Sequence, residues 1–157
     1  MELHRHLLRM IRYNGWANER ILEQAVKILP ERPEYTGQYG LLADELLHLL
    51  HAQDYWMRRW TGRSVNTTEN PSRTELIGEF ARSQSALETF VAGLDEDALK
   101  ATFVQETDGK NAPLGDFIAH LVGHGTYHRG GIAILLTNAG ASPGDIDLYD
   151  FILVTGG

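Results

Sequence analysis

The chain contains no cysteine among its 157 residues. That absence excludes disulfides, thiolate metal ligands and a cysteine nucleophile together. Any metal must therefore be held by histidine and carboxylate, and any thiol chemistry must use a thiol brought by a substrate. Positive charge is also scarce, with 14 Lys plus Arg against 21 Asp plus Glu and a formal net charge of −7. A nucleic-acid binder normally carries a basic face, so no nucleic-acid partner is expected. No run of about 18 apolar residues exists, and the start Met1-Glu2-Leu3-His4-Arg5-His6 lacks the apolar stretch of a secretory signal. The expectation is a cytoplasmic protein with no membrane segment, in which the formal glycosylation sequon Asn66-Thr67-Thr68 has no role.

What is present is hydrophobic periodicity and histidine. With 43% hydrophobic residues, a chain of this size buries roughly 68–70% of its unfolded surface and fits one domain. That domain spans 1–157. Four long segments repeat apolar residues at three- and four-residue steps, the spacing of a helix face. The first runs from Leu3 to Ile28 and is stopped by Pro30 and Pro33. The second runs from Leu41 to Trp60 and ends at Gly62. The third opens on Ser72-Arg73-Thr74-Glu75, a capping box, and ends at Gly93. A short acidic helix, Asp95 to Leu99, follows it. Ala101 to Gln105, rich in Thr, Phe and Val before the Asp108-Gly109 turn, predicts an extended connection. The fourth segment starts at Pro113 and ends at Asn138, with Gly140 as its cap. The tail Asp145 to Val154 alternates and predicts a docked extended segment. The fold class expected is all-α, an up-down four-helix bundle with a short extended connection before the last helix.

Seven histidines are the chemical resource. His120, His124 and His128 are spaced by four, so neighbours sit one turn apart on one helix face. His120 and His128 are two turns apart, about 12 Å at 1.5 Å per residue, and cannot share an ion. On a helical wheel His128 falls inside the apolar stripe, His124 on its border and His120 toward solvent, which selects His124 and His128 as the chelating pair. A lone inward histidine is usually a hydrogen-bonded core residue; a pair with a third from another helix is not so readily explained. The second segment offers His48 or His51. His48 shares a stripe with Leu41, Ala52 and Tyr55, whereas His51 lies near Asp44, Asp54 and Arg58 on a face that reads as solvated, so His48 is preferred. His4 and His6 lie in the first turn beside Arg5 and are not expected at a site.

Two other metal motifs fail. A metalloprotease helix needs His-Glu-x-x-His, but Leu121 and Gly125 follow His120 and His124. A di-iron bundle needs two Glu-x-x-His motifs, and only Glu45-Leu46-Leu47-His48 matches. A mononuclear site remains. Imidazole ligands suit several divalent ions, zinc and nickel foremost here. Asp44, Glu45 and Asp116 are candidates to hydrogen-bond a ligand ring, against the ordinary alternative of solvated surface charge. Trp16, Trp56, Trp60, Tyr13 and Tyr55 read as core first, with the walling of a pocket over the metal as the alternative for some of them. Arg129 reads as a salt-bridging partner of Asp or Glu, or else as an anchor for an anionic group.

Three blocks in this order resemble the DinB-like family of small helical-bundle proteins, related to YfiT-type thiol transferases. They are Tyr13-Asn14-Gly15-Trp16-Ala17-Asn18; Leu47-His48 with Trp56, Arg58 and Arg59; and His120-x3-His124-x3-His128-Arg129-Gly130. The closing Asp147-Leu148-Tyr149-Asp150-Phe151 is also similar to the family's last segment. One departure is Gly131, where the family commonly has Gln. The resemblance implies His48, His124 and His128 as the metal triad and leaves catalytic residues unassigned. It further implies a metal-dependent hydrolase or a thiol S-transferase, acting on a small-molecule substrate with a low-molecular-weight thiol, in a homodimer. The alternatives are a non-catalytic metal-binding stress-response protein and a structural helical dimer. Gly123, Gly125, Gly130 and Gly131 in one helix suggest close approach of a neighbour, either a ligand or helix on one reading or a packing and dimer contact on the other.

Overall fold

A computed structural model describes residues 2–31, 40–65 and 68–156; Pro33 and the Asn66-Thr67 half of the sequon lie outside the described residues. Four long helices form the body: α1 (Glu2–Ile28), α2 (Gly40–Thr61), α3 (Arg73–Ala92) and α5 (Leu114–Asn138). Between the last two lie the short helix α4 (Glu96–Lys100) and the strands β1 (Thr102–Val104) and β2 (Asn111–Pro113), and α6 (Leu148–Thr155) closes the chain. The all-α class expected from the periodicity is the class observed. None of the described helices is long and apolar enough to cross a membrane.

Local chemistry explains most of the boundaries. Ser72 accepts from the Glu75 amide while the Glu75 carboxylate accepts from the Ser72 amide, so the capping box starts α3 as its sequence requires. Asp95 caps α4 in the same manner through the Ala98 amide. At the end of α5, Gly140 takes φ +76°, and Ala141 N–H donates to the Leu136 carbonyl, closing a Schellman turn that a side-chain-bearing residue would strain. The extended connection is a two-stranded antiparallel ribbon pairing Thr102 with Pro113 and Val104 with Asn111.

The tail departs from expectation. It forms α6 rather than an extended segment, because Asp147 accepts from the Asp150 amide at 3.0 Å as an N-cap. Phe151 then reaches the core, its ring 6.0 Å from Tyr13 and 5.7 Å from Trp16. In a run this short, Leu148, Phe151 and Ile152 satisfy a helical step as readily as an alternating one.

The core is two apolar clusters stacked along the bundle. One takes Ile21, Leu22 and Ala25 from α1, Leu46 and Leu50 from α2, Leu76 and Phe80 from α3, and Ile132 and Leu136 from α5. The other takes Leu7 and Ile11, then Met57, then Leu87 and Val91, then Ile118 and Leu121 from the same four helices. Reading these in chain order gives the directions: α1 and α5 run one way, α2 and α3 the other. The up-down alternation therefore holds for the first pair and becomes up-down-down-up over four helices. Parallel neighbours need a connection that travels back along the bundle, and the described residues 62–65 and 68–72 lie on that return. They are pinned on the way by Val65 N–H and Ser64 Oγ donating to Asp54, and by Thr68 Oγ1 donating to Glu79. Asp54, read from sequence as solvated, is thus buried as the anchor of this crossover.

Between the two clusters every long helix contributes buried polar groups: Asn14 and Asn18, Gln53, Glu79 and Ser83, and Arg129. This polar layer sits at the level where α5 carries its histidines.

Candidate metal centre

Three imidazoles converge where α2 and α5 run side by side. One ring nitrogen from each of His48, His124 and His128 lies within 4.8 Å of the others. His48 Nε2 and His124 Nε2 are 3.0 Å apart, and the His48 ring is 4.4 Å from the His128 ring, centroid to centroid. Two ligands bonded to one zinc at about 2.0–2.1 Å stand roughly 3 Å apart, so the separation fits a shared ion. One-turn spacing on α5 supplies His124 and His128, and α2 supplies His48 from across the groove. The triad expected from the sequence is the set of residues brought together.

Glu45 completes the arrangement. Its Oε2 accepts from His128 Nδ1 at 2.7 Å, one turn before His48 on the same face of α2. With its Nδ1 proton held there, His128 presents a bare Nε2 lone pair toward the group, as metal-bound histidines usually do. Glu45 was only one of three acidic candidates; Asp44 and Asp116 are exposed and make no such bond among the described residues. The surroundings of the other two rings disfavour their protonation. Burial lowers the pKa of His48, and the nearness of a second imidazole, His128, adds to this while Glu45 opposes it. Burial likewise lowers His124, helped by His128 and His48. Neutral imidazole is the ligating form.

The group lies on the flank of the bundle and not in its core. His48 is exposed and the other two are half-buried, so the group opens sideways to solvent. The reason is geometric. The faces of α2 and α5 that point inward are filled by Leu46, Leu50, Leu121, Ile132 and Arg129, which leaves the histidines on the flank.

The remaining histidines are apart from the triad. His120 is exposed at the rim, its ring 6.1 Å from that of His124 and edge-on to Trp56 at 5.8 Å. His51 Nε2 faces the Thr68 carbonyl at 3.5 Å, and His4 Nε2 the Val91 carbonyl at 2.9 Å. Of the aromatics, Tyr13 is buried, and Trp60 stacks between Trp56 and Phe90 as a core residue would. Trp56 instead forms part of a cleft wall beside His120.

Arg129 contradicts the salt-bridge reading. It is 1% exposed, and no carboxylate touches it among the described residues. Nη1 donates to Asn14 Oδ1 at 2.7 Å and Asn18 Oδ1 at 2.9 Å, Nη2 donates to Thr126 Oγ1 at 3.0 Å, and the guanidinium lies 5.3 Å from the Tyr13 ring centre. Burial pulls its pKa below the usual guanidinium value, with Tyr13 acting the other way. The contact explains one of the four glycines: a Cβ on Gly125 would lie 2.7 Å from Asn14 Oδ1 and 2.8 Å from Arg129 Nη1. Gly123, Gly130 and Gly131 face open space. The Tyr13-Asn14-x3-Asn18 block and the His128-Arg129 block are therefore one structural unit, clamping α5 to α1 immediately behind the three histidines.

The sequence profile of the DinB family matches residues 3–155. "Protein DinB" of Bacillus subtilis (strain 168) is 25% identical over 166 residues, an alignment covering 94% of this chain and 95% of that protein. With the profile spanning nearly all of its length, this chain belongs to the DinB family.

Proposed function

We propose that this protein is a divalent-metal-dependent enzyme, a hydrolase or thiol S-transferase, with His48, His124 and His128 holding one ion. The observation that carries this reading is the meeting of three imidazole nitrogens on a solvent-facing flank, one of the rings oriented by Glu45. Three protein ligands are the pattern of catalytic sites, which keep a position open, rather than of closed four-ligand structural sites. Bound there, a zinc or nickel ion would lower the pKa of a water or a substrate thiol toward neutrality or polarise a carbonyl. The protein's part is to keep His48 and His124 unprotonated, to fix the His128 tautomer through Glu45 and to leave the ion reachable. With no cysteine in the chain, the thiol of a transferase reaction comes from a small molecule.

A non-catalytic metal-binding protein is the second reading, favoured by the wide exposure of His48. Turnover decides between the two. Zinc- and nickel-loaded protein is assayed for conjugation of an electrophile with glutathione, bacillithiol, mycothiol or cysteine, and for ester and amide hydrolysis. Turnover that is lost in His48→Ala supports the enzyme; stoichiometric metal with no turnover in any assay supports the binding protein. We also propose a homodimer paired through the outer face of α5, where Gly123, Tyr127, Gly130 and Ile134 are exposed and uncharged. Tyr127→Lys shifting the mass in solution to that of one chain would support it; a monomeric wild type overturns it.

A further inference from the structure

Beside the histidine group lies a cleft of about 580 Å³ between α5, α2 and the β1–β2 ribbon. Its floor is aromatic, with Trp56 and Phe117 in contact at 5.3 Å between ring centres and Phe103 edge-on behind Phe117. The wall facing them is held in place by hydrogen bonds. Gln105, 7% exposed, donates from Nε2 to Tyr55 Oη at 2.7 Å and accepts at Oε1 from Arg59 Nε at 3.2 Å. Its amide donates to the Lys110 carbonyl at 2.7 Å, closing the turn of the ribbon. The cleft is thus a concave site with an aromatic floor and a polar rim of Gln105, Asp108, Lys110, Asn111 and Asp116, the combination that fixes a small molecule's orientation. His120 stands at its inner end, one ring from His124.

The charges around the cleft select among ligands. Lys110 is its one cation among the described lining residues, and Asp108 already engages it at 3.1 Å. Asp116, exposed on α5 one residue before Phe117, has no partner among the described residues. The free charge is negative and sits beside two ring faces, which attract cations. An anionic ligand meets no available counter-charge there.

We infer that this cleft is the substrate-binding half of the site and takes an aromatic compound bearing a positively charged amine. The ring lies against Trp56 and Phe117, the ammonium reaches Asp116, and the far edge of the ring points past His120 toward the triad. This assignment rests on the reading of His48, His124 and His128 as a catalytic metal site, since it names that site's substrate class; the cleft's own binding is tested without metal.

The probes are phenethylammonium, phenylacetate of similar size and opposite charge, and butylammonium without a ring. Each is titrated against the full chain in EDTA, following intrinsic tryptophan fluorescence, and again after zinc addition. Phenethylammonium is expected to give a saturable change and to bind about fivefold or more tighter than either of the others, since both the ring and the charge contribute. Asp116→Asn, an exposed change that leaves the fold intact, should reduce that preference over phenylacetate to near unity. Phe117→Leu should weaken phenethylammonium while leaving the thermal melt close to wild type. Phenylacetate binding as tightly as the amine, no saturable signal, or an unchanged preference in Asp116→Asn each overturns the proposal. A chain that binds the amine in EDTA yet takes up no stoichiometric metal refutes the enzyme reading and leaves the cleft assignment standing as a binding site.

Discussion

Replacing Arg129 by Met tests the idea that a buried, carboxylate-free guanidinium holds α5 against α1. Methionine fills much of the same volume and keeps the helix, so the change isolates the polar contacts. Two opposing terms follow. Removing the charge relieves its desolvation, which in isolation favours the variant. Against this, Asn14 Oδ1 and Asn18 Oδ1, both on residues no more than 4% exposed, lose the donor 2.7 and 2.9 Å away. A buried acceptor left without its donor costs about 1–3 kcal/mol, so two cost roughly 2–6 kcal/mol. The cation over Tyr13 contributes about 1–2 kcal/mol more. Setting several kcal/mol of recovered desolvation against the upper part of that range leaves a net loss of about 3 kcal/mol. For a chain of this length that lowers the melting temperature by about 6–12 °C. Urea denaturation gives the free energy directly. The triple variant Arg129→Met, Asn14→Leu, Asn18→Leu removes the orphaned acceptors as well and should recover part of the loss. A single variant within about 0.5 kcal/mol of wild type, the range of an ordinary surface change, would refute the reasoning. So would a triple variant destabilised by the sum of its parts, because the cost would then not reside in unpaired acceptors.

Other outcomes follow from the same geometry. Glu45→Gln should weaken metal affinity about 10–100-fold, measured by competition with a chromophoric chelator, while changing the apo melt little; unchanged affinity would remove Glu45 from the centre. The folded pKa values of His48 and His124 lie below the unfolded value near 6.5. The unfolded chain therefore binds protons more readily, so the stability of the metal-free protein should be full above about pH 6.5 and decline as pH falls below it. His48→Gln together with His124→Gln should flatten that limb of the urea-midpoint profile; an unflattened limb assigns it to other groups. Gly125→Ala should destabilise by roughly 1–3 kcal/mol through its clash with the Asn14–Arg129 contact. Gly131→Ala, whose added Cβ meets nothing within 4 Å, should stabilise by up to about 1 kcal/mol. Equal effects in the two variants would contradict the close approach at Gly125.

The helices and the triad were legible because each leaves a local mark. A capping box at Ser72 names its own helix start, and three histidines at four-residue steps name their face whatever the surroundings. What stayed hidden depends on partners distant in sequence. Arg129 reads as a surface ion-pair residue until Asn14 and Asn18, more than 100 positions away, are known to meet it. Asp54 reads as solvated until the crossover from α2 to α3 is seen to return along it. The parallel course of α2 and α3 is invisible to periodicity, which records faces but not directions. Glu45 did carry a signal, its one-turn spacing from His48, but that spacing alone fits a solvated carboxylate equally well. The tail was misread because eight residues allow both an alternating and a helical pattern, and only the Asp147 cap decides between them.

The central claim is that His48, His124 and His128 together hold one divalent ion. The most direct measurement is the metal content of the purified chain by mass spectrometry after EDTA stripping, reloading with zinc or nickel and desalting. It is run beside His48→Ala, His124→Ala and His128→Ala, with His120→Ala as the neighbour outside the triad. One ion per chain is expected in wild type and in His120→Ala, with its loss in each of the other three. Wild type without a stoichiometric ion, or an ion retained undiminished when a triad member is removed, would contradict the claim.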